Sequence, residues 1–228
     1  AAVNDLPELC NALKGDPWTI SPFYEHPVLK ANPEGGDGTA AHPYEIKTAA
    51  QLETFRDIVN GKDVQAANPN AHAKLMNDID LSSVCGPTLD SEQPVSWTPI
   101  GSISNEYTGT FDGANYTISG LYIYTSDHDQ GLFGYVGSSG KVQNLTVSGN
   151  VSGDWHVGGV VGYNNGGTVT GCIFSGSGSV KGSGNSVGGV VGQNYNGTVE
   201  NCYFLQTETV NTKLQGIGEN DGSGDATA

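Results

Sequence analysis

One six-residue phrase is written four times along this chain: Ile118-Ser119-Gly120-Leu121-Tyr122-Ile123, Val142-Gln143-Asn144-Leu145-Thr146-Val147, Val169-Thr170-Gly171-Cys172-Ile173-Phe174 and Val199-Glu200-Asn201-Cys202-Tyr203-Phe204. Positions one, four and six are apolar, and position three is Gly or Asn. Met76-Asn77-Asp78-Ile79-Asp80-Leu81 is a fifth, weaker copy, and successive copies begin 42, 24, 27 and 30 residues apart. A second phrase alternates with the first: Gly131-Leu132-Phe133-Gly134, then Val157-Gly158-Gly159-Val160-Val161-Gly162, then Val187-Gly188-Gly189-Val190-Val191-Gly192. Self-similarity at a period of roughly 20–50 residues marks a solenoid, whose units bury their apolar edges only by stacking on one another.

The alternation inside each phrase sets its direction in space. Val142, Leu145 and Val147 turn inward while Gln143 and Thr146 turn outward. The Asn or Gly at position three permits a sharp bend, because both tolerate left-handed backbone angles. Coils of this length, with short strands and turns at fixed places, describe an all-β parallel β-helix of about five coils. Thirty-four glycines would suggest disorder in a polar chain, but here they fall at fixed offsets inside apolar repeats and read as bends and close-packing positions.

The chain divides into four stretches. Residues 1–43 are an irregular, Pro-rich lead-in, with Leu6, Leu9, Cys10 and Leu13 on one face of a short helix. Residues 44–71 hold a capping helix and loop: Thr48-Ala49-Ala50-Gln51 is a capping box, Leu52, Phe55, Ile58 and Val59 follow at helical spacing, and Asn60-Gly61 ends the run. Arg56 falls on the polar side of that helix, which is expected to cover the first exposed rung of the solenoid. Residues 72–206 are the β-helix, interrupted by a loop at Ser82–Ser96, and 207–228 form a Gly-, Ser- and Asp-rich tail without apolar periodicity. That tail is not expected to cap the last rung. The start at Ala1, with no charged-then-apolar leader, is expected of a processed form or a fragment.

Charge excludes whole classes of partner. The formal net charge is −15 with nine Lys and Arg together, so there is no basic footprint for nucleic acid or anionic lipid. No run reaches the ~20 apolar residues of a membrane-spanning helix. Few charges with many Asn, Gly, Thr and Tyr suit a secreted or cell-surface protein.

Four cysteines are too few for a disulfide scaffold. Cys172 and Cys202 share one inward position in adjacent repeats, and in-register side chains on rungs about 4.8 Å apart have poor geometry for a bond, so they read as stacked buried thiols. Cys10 and Cys85 lie outside the repeats, and a bridge between them is an open alternative to two free thiols.

The alternation of Gly-Leu-Phe-Gly and Gly-Gly-Val-Val-Gly with Val-x-Asn-Leu-x-Val resembles the GLUG repeat of bacterial surface and secreted proteins. Upstream, Pro43-Tyr44-Glu45-Ile46, Asn77-Asp78-Ile79-Asp80-Leu81, Trp97-Thr98-Pro99-Ile100-Gly101 and the run from Gly109 to Leu121 resemble that family's usual order, over about residues 42 to 205. The resemblance implies a right-handed parallel β-helix. It implies no reaction, since such repeats accompany adhesins, peptidases and large surface proteins alike.

Two groupings could carry chemistry. Aligning Gly131 with Gly159 sets His128 beside His156, with Asp127 and Asp129 on one coil and Asp154 and Trp155 on the next. Two imidazoles, three carboxylates and an indole could form a divalent-cation site or a sugar platform; otherwise they solvate a polar bend. Tyr122, Thr146, Ile173 and Tyr203 form an outward column on one strand face, suited to a glycan or a protein or simply to solvent. Polyuronate lyases and hydrolases of β-helical fold need a basic residue beside acidic ligands, or aspartates on adjoining rungs, and neither arrangement is visible. No catalytic residue or obligate cofactor is therefore expected. The expected function is a non-catalytic adhesion or surface-assembly module whose partners are other surface proteins, a host ligand or glycan, or further copies through the coil ends. A carbohydrate-binding or carbohydrate-active β-helix is the alternative.

Overall fold

The computed structural model describes residues 18–20, 27–29, 33, 35–62, 66–87, 94–175, 178–205 and 215–227. The helix expected around Leu6–Leu13 lies outside them, as does the middle of the Ser82–Ser96 loop.

The chain winds into a parallel β-solenoid of about six turns. Three lines of short strands run along it. The first stacks Tyr44–Ile46, Ala73–Leu75, Thr110–Asp112, Lys141–Gln143, Thr168–Thr170 and the start of Thr198–Phe204, each parallel to the next. The second stacks Ile79–Asp80, Thr117–Tyr124, Thr146–Gly153, Ile173–Phe174 and the end of Thr198–Phe204. The third stacks Phe133–Val136, Val161–Asn165, Val187–Tyr195 and Gln215–Asn220.

Inward columns fill the space between the lines. Ala73, Phe111, Val142, Val169 and Val199 pair rung to rung and are buried, as are Ile79, Ile118, Val147, Phe174 and Phe204 on the second line. At the corner between these lines Asn144, Gly171 and Asn201 take φ of 52°, 61° and 52°. Left-handed backbone at this point of the three coils is why position three of the repeat is Asn or Gly there. Pairing continues through the bend, Asn144 N–H donating to Thr170 O and Gly171 N–H to Glu200 O, both at 3.0 Å.

The register corrects two copies of the repeat. Val142 pairs with Phe111, and Val147 with Ile118, so the phrase equivalent to Val142–Val147 runs from Phe111 to Ile118. Ala114 and Asn115, both at positive φ, are the extra residues that hide it. Ile79 pairs with Ile118, which moves the Met76 copy by the same logic. The tail is corrected too. Gln215–Asn220 pairs with Val187–Tyr195, and Ser223–Thr227 with Thr198–Phe204, adding a sixth coil. Its inward positions hold Ile217, Gly224 and Ala226, so backbone pairing builds it with little apolar signal in the sequence.

Helix α1 (Ala49–Asn60) lies between the first two rungs of the first line. Thr48 caps it, its side chain accepting from Gln51 N–H, and Gly61 closes it at φ 71°. Leu52, Phe55, Ile58 and Val59 are buried, and Phe55 packs on Tyr44, Tyr107 and Phe111 with ring centroids 5.8–6.5 Å apart. Burying Phe55 contributes about 2–3 kcal/mol. Arg56 is not on a solvated face: it is buried, paired with Asp57 at 2.8 Å, and lies 4.8 Å from the centroid of buried Trp97.

The third line carries an amide ladder. Asn164 Nδ2 donates to Asn194 Oδ1 at 2.7 Å, and Asn194 Nδ2 to Asn220 Oδ1 at 2.8 Å. Each Nδ2 also donates to a turn carbonyl, of Gly167, Gly197 and Gly224 respectively. Asn164 pairs in register with Val136, and Asn164 Oδ1 is buried without a hydrogen-bond partner among the described residues. Replacing Asn194 with Ala removes the middle link. The urea midpoint should fall by an amount equivalent to about 1–3 kcal/mol with the slope unchanged; an unshifted midpoint would assign the ladder no role in stability.

Candidate functional site

The Asp–His grouping forms where the chain turns into the third line. Asp129 N–H donates to Trp155 O, and Gln130 N–H to His156 O, both at 3.0 Å. Asp129 therefore sits opposite His156, and His128 opposite Trp155, one residue out of step with the alignment on Gly131 and Gly159. Asp129 and His156 both take left-handed backbone, with φ of 57° and 54°. Asp129 Oδ1 meets His156 Nδ1 at 2.6 Å, while Asp154 Oδ2 lies 3.7 Å from His128 Nε2. Ser183, one coil further on, donates its hydroxyl to Asp154 Oδ1.

Asp127 stands apart. Its Oδ2 accepts from Thr125 Oγ1 at 2.8 Å within its own loop. The remaining four charged residues form two separate pairs, and among the described residues no three His, Cys, Asp or Glu side chains group as a metal site. In this arrangement each of the two carboxylates facing an imidazole is paired with it, and Asp154 also accepts from the Ser183 hydroxyl.

Aromatic rings continue from the bend. His156 lies 4.8 Å from Tyr163, edge to face; Tyr163 stacks on Tyr135 at 4.7 Å with planes 17° apart, and Tyr195 follows at 6.4 Å. Tyr135 and Tyr163 are register partners on adjacent coils, which is what aligns their rings. Tyr135 escaped the sequence reading, although Gly134-Tyr135-Val136 follows one Gly-rich phrase as Gly162-Tyr163-Asn164 follows the next. Burial pushes the Tyr135 hydroxyl up to about 12, with Tyr163 and Glu106 adding to the shift.

The outward column is corrected as well. Thr146 pairs with Ile173 and Ile173 with Tyr203, but the partner of Thr146 on the preceding coil is Thr117. Tyr122 pairs with Asn150 and packs partly against the core.

Cys85, Cys172 and Cys202 are buried free thiols, and Cys10, the other half of the expected Cys10–Cys85 alternative, lies outside the described residues. Cys85 Sγ donates to Leu81 O and Gly120 O, and burial pushes its thiol up to about 11. Cys172 shares a hydrogen bond with Cys202, and that contact together with burial raises it well above the usual thiol range.

Comparison with known proteins agrees with this architecture. Residues 183–207 carry the GLUG motif. That stretch is the coil with Ser183, the ladder residue Asn194 and Cys202, so the resemblance read from the sequence holds there. A provisionally named Gly-rich membrane protein of Evansella cellulosilytica is 37% identical over 117 residues, or 51% of this chain and 12% of that protein. Halomucin of Haloquadratum walsbyi is 32% identical over 130 residues, or 56% of this chain and 1% of its own length. The GLUG-bearing chain thus matches small parts of long relatives. A crystal structure from Bacteroides ovatus, of a protein provisionally named an immunoglobulin A1 protease, superposes with a TM-score of 0.51. It covers 84% of this chain and 66% of that one at 19% identity, a likeness of fold alone.

Two outcomes follow. Iodoacetamide should leave Cys85, Cys172 and Cys202 unmodified in the folded chain and modify all three after denaturation, read peptide by peptide by mass spectrometry. The raised Tyr135 makes stability depend on alkaline pH. Below about pH 10 the phenol is neutral in both folded and unfolded chains. Between there and about 12 the unfolded chain loses its proton first, so stability falls as pH rises through that window. Melting curves from pH 9 to 12 should show this decline, and Tyr135→Phe should lessen it.

Proposed function

We propose that this chain is a non-catalytic interaction module of a cell-surface or secreted protein. The observation that carries the reading is the continuous parallel pairing of coil on coil along all three lines, which makes a stiff scaffold displaying side chains at fixed spacing. The relatives support it. Their names place one at a membrane and identify the other as a halomucin, and in both the matched part is a small segment of a long chain. Adhesion or surface assembly is the finer role that such a segment fits.

A hydrolytic reading has one feature in its favour, the Asp129–His156 pair, which resembles the orienting half of a catalytic triad. Ser186, on the coil after His156, is the serine nearest in sequence order to completing it. Its hydroxyl goes instead to Glu219 Oε2 at 2.7 Å, and the residue is buried. A hydroxyl that donates to a carboxylate is not donating to the imidazole that would have to take its proton.

Antibodies against the chain should label intact cells of its source organism. Purified protein should release no product from immunoglobulin A1 or from neutral and acidic polysaccharides. Confinement to the cytosol, or turnover abolished by His156→Ala, would overturn the reading.

A further inference from the structure

We propose that the face around Trp155 binds a neutral glycan chain, an inference that rests on the surface-module reading and supplies its ligand. Trp155 is 49% exposed although it belongs to the largest and most apolar class of side chain. It is also seated. A Cβ at Gly184 would come within 2.6 Å of its Cδ1 and 2.8 Å of its Cγ, so the indole rests against the bare backbone of the next coil. An indole supported from beneath and open above offers a flat platform for the C–H face of a pyranose ring.

Polar groups surround the platform in a pattern that selects the ligand. Asp129 holds His156 through Nδ1, which leaves Nε2 without a protein partner among the described residues. With Nδ1 engaged by the carboxylate, Nε2 is the ring nitrogen left to meet a ligand hydroxyl, which can both donate and accept. Asp154 is fixed by Ser183 and His128 beside the indole. Acceptors suit hydroxyl donors. They repel carboxylates, sulfates and phosphates, as does the net charge of −15. The ligand is therefore a neutral polyol ring and not a uronate.

The site is longer than one ring. From Trp155 the aromatic line passes through His156 at 6.4 Å and Tyr163 at 4.8 Å to Tyr195, itself 43% exposed, at another 6.4 Å. Two exposed aromatic ends joined by partly covered rings fit several successive sugars, and each end contributes its own contact.

The test titrates gluco-, manno- and chito-oligosaccharide hexamers, their methyl monosaccharides and polygalacturonate against the whole chain, read by indole fluorescence and saturation-transfer NMR. Trp97 is buried with its Nε1 donating to Leu132 O, so it serves as an internal reference. At least one neutral hexamer should bind more tightly than its monosaccharide, and polygalacturonate should not bind. Trp155→Ala should weaken that binding about tenfold or more. Gly184→Ala, which lifts the indole without touching the ligand, should weaken it while circular dichroism and the melting temperature stay close to wild type. No binding by any neutral hexamer, or binding unchanged in Trp155→Ala, overturns the site while leaving the surface-module reading intact. Cleavage of a bound hexamer that is lost in Trp155→Ala would support the site and overturn only the non-catalytic reading.

Discussion

The backbone hydrogen bond from one coil to the next, repeated along three lines, is the interaction on which everything else in this molecule depends. It fixes the rung spacing, and the rung spacing decides which side chains meet. Tyr135 stacks on Tyr163, Asp129 reaches His156 and the asparagines line up because parallel pairing leaves those residues nowhere else to go. The apolar columns fill the interior, but the last coil shows that pairing extends further than the columns do. Ser223–Thr227 follows the ladder with Gly224 where Val199 stands one rung earlier.

Much of the fold was legible because two requirements leave marks on the sequence. Inward positions must be apolar, and the corner must be left-handed, so Val142, Asn144 and Val147 announce themselves. The phrase at Phe111 was hidden by Ala114 and Asn115, two residues that widen a turn without disturbing the rungs on either side. Backbone pairing tolerates such a bulge; a fixed-spacing pattern does not. The sixth coil was hidden for the opposite reason, since glycine fits a rung yet leaves no apolar mark. Arg56 misled because a helical wheel treats a guanidinium as solvated, whereas Asp57 and the face of Trp97 together stabilise it under cover.

The Asp–His grouping was visible in composition and misjudged in detail by one residue. That single step sets Asp129, and not His128, opposite His156. With Asp129 and Asp154 each facing an imidazole, the bend is lined by carboxylate acceptors held in place by their neighbours. Gly184 could not have been singled out from sequence at all. Its significance lies in the atom it lacks, and only the stacked coil reveals what occupies that space.

The asparagine ladder has a direction. Asn194 gives an N–H to the coil that follows and takes one from the coil before, so the links form a chain with a head at Asn220 and a foot at Asn164, whose register partner on the preceding coil is Val136. A chain of this kind can be lengthened or shortened only by whole links. Gaining or losing part of a turn would set an amide beside a group unable to answer it, whereas duplication of a complete coil would carry its own donor and acceptor. The link in this ladder is therefore the full turn, one amide to each coil from Asn164 to Asn220.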